Sequence, residues 1–241
     1  MELLVIRHGQ SVADIEGRHE GSADFPLTEL GRRQAQAAAE WIAAHYPPDA
    51  IVASPLCRAA ETARCIAGSV ALPVALDDAL REKANGVYAG LTFEDARQRY
   101  PRPDGGWKDH EAPPGGESRI AFHARVRGYW SCLLAAEPPP RLAIVTHGGV
   151  IQLLLLCFLG LPLDSPVRMG TLDTGIHLWR IDQAERRLLL VNVQTHLELA
   201  GLQASGSVLH YYLSTMISSS GFRSISGTRQ SDAGYPTGIS R

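Results

Sequence analysis

The sequence predicts an α/β fold, a three-layer sandwich with a mostly parallel sheet, helices on both faces and an antiparallel edge strand. Two observations carry this prediction. Short, continuously apolar runs such as 3–6 and 142–146 are typical of strands that are buried on both faces. Segments of helical length alternate with these runs along the chain, as expected for parallel strands that are joined by helices.

Six runs qualify as strands, namely 3–6, 50–53, 74–76, 142–146, 175–182 and 187–194. The last two are joined by a charged turn, and we expect them to pair antiparallel to each other. The others are short and lack strict alternation of apolar and polar residues, which favours the interior of a parallel sheet.

Start and stop signals place the helices. Thr28 is a good N-cap for a helix from 29 to 45, and Pro47 and Pro48 end it. Ser54 and Pro55 indicate an N-cap and the first residue of a helix that reaches residue 68. Further helices are predicted at about 93–100, 117–136 and 150–159. Residues 10–28 are predicted to be a loop, and residues 83–116 a turn-rich insertion that shapes a pocket.

The chain has 241 residues, and its composition changes near residue 200. Residues 1–200 are predicted to form one catalytic domain. Residues 201–241 are rich in serine and glycine, and we expect a poorly ordered tail with at most a short helix near 208–217.

Composition narrows the function class. A net charge of −2 gives no electrostatic footprint for nucleic acid or for an anionic membrane. The apolar stretch 142–161 is long enough to span a bilayer, but His147-Gly148-Gly149 interrupts it, which favours a strand followed by a buried helix. The four cysteines have no metal-binding spacing and are predicted to be buried free thiols. With only four apolar residues before Arg7, no signal peptide is predicted, and we expect a cytoplasmic protein.

Ionisable residues that could take part in one reaction follow several predicted strands. They are Arg7, His8, Arg58, Glu82 and His147. Arginines bind phosphate oxygens bidentately, and an imidazole can form a covalent phosphohistidine. A carboxyl group can then protonate the leaving oxygen and activate water. The set predicts phosphoryl transfer with no metal and no cofactor, because metal-binding spacings are missing from the sequence.

The segment Leu4-Val5-Ile6-Arg7-His8-Gly9 resembles the signature of the histidine phosphatase superfamily, which includes the cofactor-dependent phosphoglycerate mutases. Five further blocks match the same family in the same order. They are 24–35, Ser54-Pro55-Leu56 with Arg58 and 61–63, Leu80-Arg81-Glu82 with Gly86 and Gly90, 115–118, and Thr146-His147-Gly148-Gly149. The resemblance covers about residues 3–198 and excludes the tail.

The resemblance implies that His8 is the nucleophile and Glu82 the proton donor. It also implies a phosphate pocket made by Arg7, Arg58 and His147, with Gly148 beside them. We expect His147 to act as a cation, because two arginines leave much of the charge of a pentacoordinate phosphoryl group uncompensated. The implied activity is that of an acid phosphatase, a phosphomonoesterase acting on a small phosphorylated metabolite.

Three departures favour a phosphatase over a mutase. Gly149 stands where mutases typically carry asparagine, and Asn85 and Phe93 stand where they place a tyrosine and a lysine. The loop 101–114 lacks the paired arginines that grip a glycerate carboxylate. A mutase and a non-catalytic phosphate-binding module remain as alternatives. Sugar phosphates, α-ribazole-type phosphates and phosphoglyceryl compounds all remain open as substrates, and so does a homodimer.

A second group of residues consists of candidates for contact with the substrate. They are Ser11, Asp14, Glu20, Gly21 and Trp107. Asp14 replaces an asparagine that the family usually places beside the phosphate, so we expect it to point away or to pair with Arg18. His196 resembles a family position and is predicted to be a structural residue, hydrogen-bonded in the core.

Overall fold

A computed structural model describes residues 1–202, which form one six-stranded sheet with helices around it. The strands are β1 (Glu2–Arg7), β2 (Ala50–Ala53), β3 (Val74–Leu76), β4 (Arg141–Thr146), β5 (Ile176–Asp182) and β6 (Glu185–Val193). The helices are α1 (Val12–Glu16), α2 (Glu29–His45), α3 (Cys57–Val70), α4 (Phe93–Arg99), α5 (Arg119–Ala135), α6 (Gly148–Leu159) and α7 (Thr195–Leu199). The predicted tail lies outside the described residues from 203 onward, so the proposed division of the chain near residue 200 stays a prediction.

The strand order is β3-β2-β4-β1-β5-β6. The pairs β3–β2, β2–β4 and β4–β1 are parallel, whereas β1–β5 and β5–β6 are antiparallel. The predicted α/β architecture with an antiparallel edge is therefore confirmed. The carboxyl ends of β1, β2 and β4 meet at one edge of the sheet, where ligands collect in such folds.

Alternate residues of β1 face opposite layers. Leu3 and Val5 belong to an apolar cluster that includes buried residues of α5 and α6. Leu4 and Ile6 belong to the cluster on the other face, where α2 and α3 supply Ile42 and other side chains. Because successive strand residues point to opposite faces, a continuously apolar strand is covered on both sides by helices.

Most predicted boundaries are confirmed to within a few residues, but two helices begin later than the sequence indicates. The predicted start of α2 is confirmed, and the Thr28 hydroxyl accepts a hydrogen bond from the backbone of Gly31. Helix α3 begins at Cys57, after Leu56 as N-cap, so the prediction of Ser54 as the cap is wrong. Helix α5 begins after Ser118, because the Ser118 hydroxyl accepts a hydrogen bond from the backbone N–H of Ala121 and so caps the helix there. Glu117 precedes the cap, and its carboxylate binds Arg125.

Two short helices were not predicted. Helix α1 lies within the predicted loop 10–28, and its signal is the pair Ser11 and Asp14, which form a capping box. Helix α7 follows the last strand and carries His196, which is buried and hydrogen-bonded to Thr174 at 2.8 Å. The predicted structural position of His196 is confirmed.

The four cysteines are free, but the prediction that they are buried is wrong. Cys132 is exposed, and the other three are partly exposed. Among the described residues, no helix combines the length and the apolar character that a membrane span requires.

Buried histidines make the stability of this fold dependent on pH. Burial lowers the pKa of His177 to about 4 and that of His196 to about 4. An unfolded histidine has a pKa of about 6.5, so unfolding takes up protons below that value. The stability that the neutral histidines contribute is complete above pH 6.5 or so and declines as the pH falls toward 4.

We therefore expect the melting temperature to fall between pH 7.5 and pH 5 and the fall to be shallower in His177→Gln, which removes one such group. The exposed His45 provides the control, and His45→Gln should keep the wild-type slope. Thermal unfolding followed by circular dichroism at several pH values measures both. An equal slope in His177→Gln and wild type would contradict the assignment.

Candidate active site

Two histidines lie side by side at the carboxyl edge of the sheet. Strands β1 and β4 are parallel neighbours with Arg7 opposite Thr146, so His8 and His147 leave the sheet together. Their ring centroids are 5.0 Å apart, and both side chains are buried. The structure thus brings together residues that are separated by 139 positions in the sequence.

The ring of His8 is held in one tautomer. Its Nδ1 lies 2.8 Å from the carbonyl oxygen of Gly9, which can only accept a hydrogen bond. Its Nε2 accepts a hydrogen bond from Arg58 Nε at 3.3 Å. Burial, together with the nearby guanidinium groups of Arg58 and Arg7, holds the pKa of His8 well below its usual range. The ring is neutral, and its Nε2 carries the lone pair that a nucleophile needs.

His147 is held by a residue that the sequence analysis assigned to another role. Its Nε2 lies 2.8 Å from the hydroxyl oxygen of Ser54. Its Nδ1 is buried and has no hydrogen-bond partner among residues 1–202. Burial, followed by Arg58 and His8, holds the pKa of His147 well below its usual range. The ring is therefore neutral in the empty site, and a cationic His147 stays a prediction for the site with phosphate bound.

Arg58 is fully buried in the first turns of α3. Besides contacting His8, it donates from NH1 to the carbonyl of Ala23 at 3.0 Å and from NH2 to the carbonyl of Gly21 at 3.0 Å. The guanidinium therefore holds the loop that follows α1 over the site. Gly21, a predicted substrate contact, has a positive φ and provides one of these carbonyl groups.

Arg7 reaches the opposite side of the site. Its NH1 donates to the carbonyl of Thr171 at 2.9 Å, and its NH2 lies 3.5 Å from Asp173 Oδ1. Both partners belong to the segment before β5, more than 160 residues away, and no local sequence signal marks them. The expectation that Asp14 points away or pairs with Arg18 is wrong in both parts, because Asp14 lies 3.9 Å from Arg7 and Arg18 pairs with Glu16.

Glu82 is bound to the first turn of α6. Its Oε2 accepts from the backbone N–H of Gly149 at 2.9 Å, and its Oε1 accepts from Lys83 N–H at 2.8 Å. A Cβ on residue 149 would lie 2.3 Å from Oε1, so the carboxylate occupies space that only glycine leaves open. Gly148 is the first residue of α6, and its N–H therefore has no acceptor within the helix.

The loop after α1 places another carboxylate against the histidine. Glu20 Oε2 lies 3.9 Å from His8 Nε2, and Glu20 Oε1 lies 3.4 Å from Arg58 Nε. The hydroxyl group of Ser11, which is also the N-cap of α1, donates to Glu20. Of these two predicted substrate contacts, Glu20 thus lies against His8 Nε2, and Ser11 lies behind Glu20 as its hydrogen-bond donor.

The structure explains why a glycine follows His8. A Cβ on Gly9 would lie 2.5 Å from the carbonyl oxygen of Gly31 in α2, and Gly9 N–H donates to Thr62 at 3.2 Å. The glycine therefore permits close packing of two backbone segments, which holds the histidine loop against α2 and α3.

A cavity of about 760 Å³ opens beside Glu82. It is lined by polar and small residues, among them Ser22, Asp78, Arg81, Glu117, Ser118 and Arg125. Trp107 is not among its lining residues, and its indole N–H is buried without a partner in the described part of the chain. A role for Trp107 in substrate contact therefore stays a prediction.

Within residues 1–202, no cluster of three or more histidine, cysteine, aspartate or glutamate side chains has an arrangement that could hold a metal ion. The charged groups nearest the two histidines are arginines and carboxylates. Arginines and a helix N-terminus are both suited to bind a phosphate group.

Comparisons with known proteins agree with this geometry. The chain is 38% identical over 178 residues to glucosyl-3-phosphoglycerate phosphatase of Mycobacterium tuberculosis, covering 70% of this chain and 79% of that protein. Its fold matches α-ribazole phosphatase from Shigella flexneri with a TM-score of 0.73, 29% identity, and coverage of 80% and 97% of the two chains. It also matches a mycobacterial glucosyl-3-phosphoglycerate phosphatase solved with VO3, with a TM-score of 0.69, 33% identity, and coverage of 80% and 99%.

The family model described as histidine phosphatase superfamily (branch 1) matches residues 3–194, which include both histidines, both arginines and Glu82. The resemblance found in the sequence is confirmed, and this chain belongs to the histidine phosphatase superfamily.

Proposed function

We propose that the chain is a phosphomonoesterase that hydrolyses a small organic phosphate through a phosphohistidine on His8, without a metal ion. The phosphatase class is confirmed by the family and by its similar members. The residue roles rest on one observation above all. The Nε2 of His8 is unprotonated and faces Arg58, while Nδ1 is fixed on the carbonyl of Gly9.

In the first step, the Nε2 lone pair of His8 attacks phosphorus, and the bond from phosphorus to the ester oxygen breaks. Glu82, in its protonated form, gives its proton to the leaving oxygen, so a neutral alcohol departs. The Gly149 N–H that binds Glu82 Oε2 then stabilises the carboxylate left behind. This hydrogen bond also fixes the distance of the acid from the phosphoryl group.

In the second step, a water molecule attacks phosphorus, the bond from phosphorus to Nε2 breaks, and the lone pair returns to His8. Glu82 takes one proton from that water and recovers its starting state. The balance is one ester and one water converted into one alcohol and one phosphate. A covalent histidine intermediate divides the reaction into two easier displacements.

His147 supplies a donor to the phosphoryl group. If the Ser54 hydroxyl donates to Nε2, the proton of the neutral ring resides on Nδ1, the buried atom without a partner. A buried donor of this kind gains a full hydrogen bond when a phosphate oxygen arrives. Negative charge on that phosphate also favours the imidazolium form, so the predicted cation belongs to the loaded site.

The cavity beside Glu82 would hold the leaving alcohol. Both arginines that line it already bind carboxylates, because Arg81 Nε donates to Asp78 at 2.6 Å and Arg125 binds Glu117 bidentately. Hydroxyl groups remain, including those of Ser22 and Ser118. These partners suit an alcohol that is neutral and rich in hydroxyl groups, such as a sugar, better than one that bears a carboxylate.

His8→Ala should abolish release of phosphate from p-nitrophenyl phosphate, with EDTA present throughout, because the variant lacks the attacking nitrogen. It should also yield no phosphoenzyme after quenching in base, whereas the wild type should retain one that is lost on acidification. The matched control is His45→Ala on the exposed surface of α2, which should keep wild-type activity. Chelator-sensitive hydrolysis, or a phosphohistidine in His8→Ala, would contradict the mechanism.

Gly149→Ala tests whether the position of the Glu82 carboxylate matters for the rate. The new Cβ displaces the carboxylate, and an error of about 1 Å in such a group can cost roughly 100-fold in rate. We expect that loss in kcat/KM for an alkyl phosphate and a smaller loss for p-nitrophenyl phosphate, whose leaving group needs no protonation. Glu82→Gln should show the same pattern.

The control for Gly149→Ala is Gly128→Ala in α5, where an added Cβ meets nothing within 4 Å. Circular dichroism checks that each variant folds. Full activity of folded Gly149→Ala on the alkyl phosphate would show that the position of Glu82 does not depend on this glycine.

A substrate panel tests the leaving-group proposal. Sugar and glycerol phosphates should exceed 3-phosphoglycerate and phosphoserine by about tenfold or more in kcat/KM, because a carboxylate finds no uncommitted arginine among the lining residues. α-Ribazole phosphate, which lacks a carboxylate, and glucosyl-3-phosphoglycerate, which carries one, extend the two sides of the panel, measured by phosphate release. A preference for carboxylate-bearing esters, or phosphoglycerate interconversion faster than hydrolysis, would reject the assignment.

A further inference from the structure

The carboxylate of Glu20 lies where a substrate phosphate has to lie. Its Oε2 is 3.9 Å from His8 Nε2, and its Oε1 is 3.4 Å from Arg58 Nε. A phosphorus atom ready for attack comes within about 3–3.5 Å of the nucleophile, so its oxygens occupy the same space. Two negative groups cannot share that position without strong repulsion.

We propose that Glu20 competes with the phosphoryl group for one position. In the free enzyme, the Glu20 carboxylate occupies the position that the phosphoryl group takes in the complex, and it returns there as product phosphate leaves. The inference rests on the proposed function only in naming phosphate as the ligand of this site. Glu20 would lower the affinity for phosphate and so limit product inhibition.

The contacts of Glu20 are those that a phosphoryl oxygen needs. Arg58 offers it a charge-assisted hydrogen bond, and Ser11 donates a hydroxyl hydrogen bond. Arg7 lies near enough that the Glu20 carboxylate contributes to raising the pKa of this arginine, although less than Asp173 and Asp14 do. The Glu20 carboxylate therefore occupies the hydrogen-bond donors of Arg58 and Ser11, and Arg7 lies close enough to be influenced by its charge.

The side chain of Glu20 can leave without moving its backbone. His19 N–H donates to Leu91 at 2.9 Å, and Gly90 N–H donates to the carbonyl of His19 at 2.8 Å. On the other side of Glu20, Arg58 holds the carbonyl of Gly21. The backbone is thus fixed on both sides, whereas the side chain retains 17% exposure, so its own rotation opens the site.

The test measures binding of inorganic phosphate by isothermal titration calorimetry. Glu20→Gln and Glu20→Ala should both bind phosphate about tenfold or more tightly than wild type, since each removes the competing charge. The control is Glu16→Gln, which removes the same charge from α1, where the carboxylate is exposed and paired with Arg18. Its affinity should stay within about twofold of wild type.

Unchanged or weaker binding in both Glu20 variants would overturn the proposal. Tighter binding in Glu20→Gln alone would also overturn it, because a new amide donor and not the lost charge would then be the cause. The inhibition constant of product phosphate, measured in steady-state hydrolysis, should fall in parallel. Phosphate binding requires no turnover, so a failure of the proposed hydrolysis would appear in the activity assay and not in this titration.

Discussion

The parallel pairing of β1 with β4 is the constraint on which the site depends. It places the residues after Arg7 and Thr146 at one edge of the sheet, which brings His8 within ring contact of His147. Strand β2 lies on the other side of β4 and runs parallel to it, so Ser54 arrives at the same edge. Strand β5 is antiparallel to β1, so its beginning, and not its end, lies there. The segment before β5 can therefore supply the partners of Arg7.

Burying two arginines in an empty pocket requires compensation. An unpaired buried charge is strongly destabilising, whereas a charge with hydrogen bonds and counter-ions is tolerated. Arg58 is compensated by two carbonyl groups and by Glu20, and Arg7 by Thr171 together with nearby carboxylates. The two histidines remain neutral, so they add no positive charge that would need a partner. In the unloaded site, each of the two buried arginines therefore has both carbonyl and carboxylate partners.

Much of this arrangement could be predicted from the sequence, since strand ends are a local feature. Apolar runs followed by His8 or His147 identify two neighbouring loops at the carboxyl edge. The sequence pattern does not reveal partners that come from distant segments, and Asp173 is 166 positions from Arg7. Ser54 shows a further limit. Its Ser-Pro context favours a helix cap, but the tertiary structure uses its hydroxyl group to hold His147.

The protonation states of buried side chains could not be predicted from the sequence either. The expectation of a cationic His147 considered the negative charge of a bound phosphate. It could not include the burial of the ring, which lowers the pKa of His147 in the empty site. Gly9 gives a similar lesson about space. The absence of a side chain at Gly9 lets it pack against the backbone of Gly31, and no feature of the sequence identifies that neighbour. In both cases the missing information is which atoms surround the residue in three dimensions.

Asp14 and Glu20, the two carboxylates that the segment after His8 brings to the arginines, differ in how they are held, and this difference identifies the one that phosphate displaces. Asp14 accepts from the backbone N–H of Ser11 at 2.8 Å and completes the capping box of α1, so moving it would also uncap a helix. Glu20 accepts only from side chains among its described contacts, and none of them caps a helix through it. The cost of moving Glu20 is therefore confined to contacts that the phosphate itself replaces. Glu20 thus stabilises the empty pocket by pairing with Arg58, and the same pairing weakens phosphate binding.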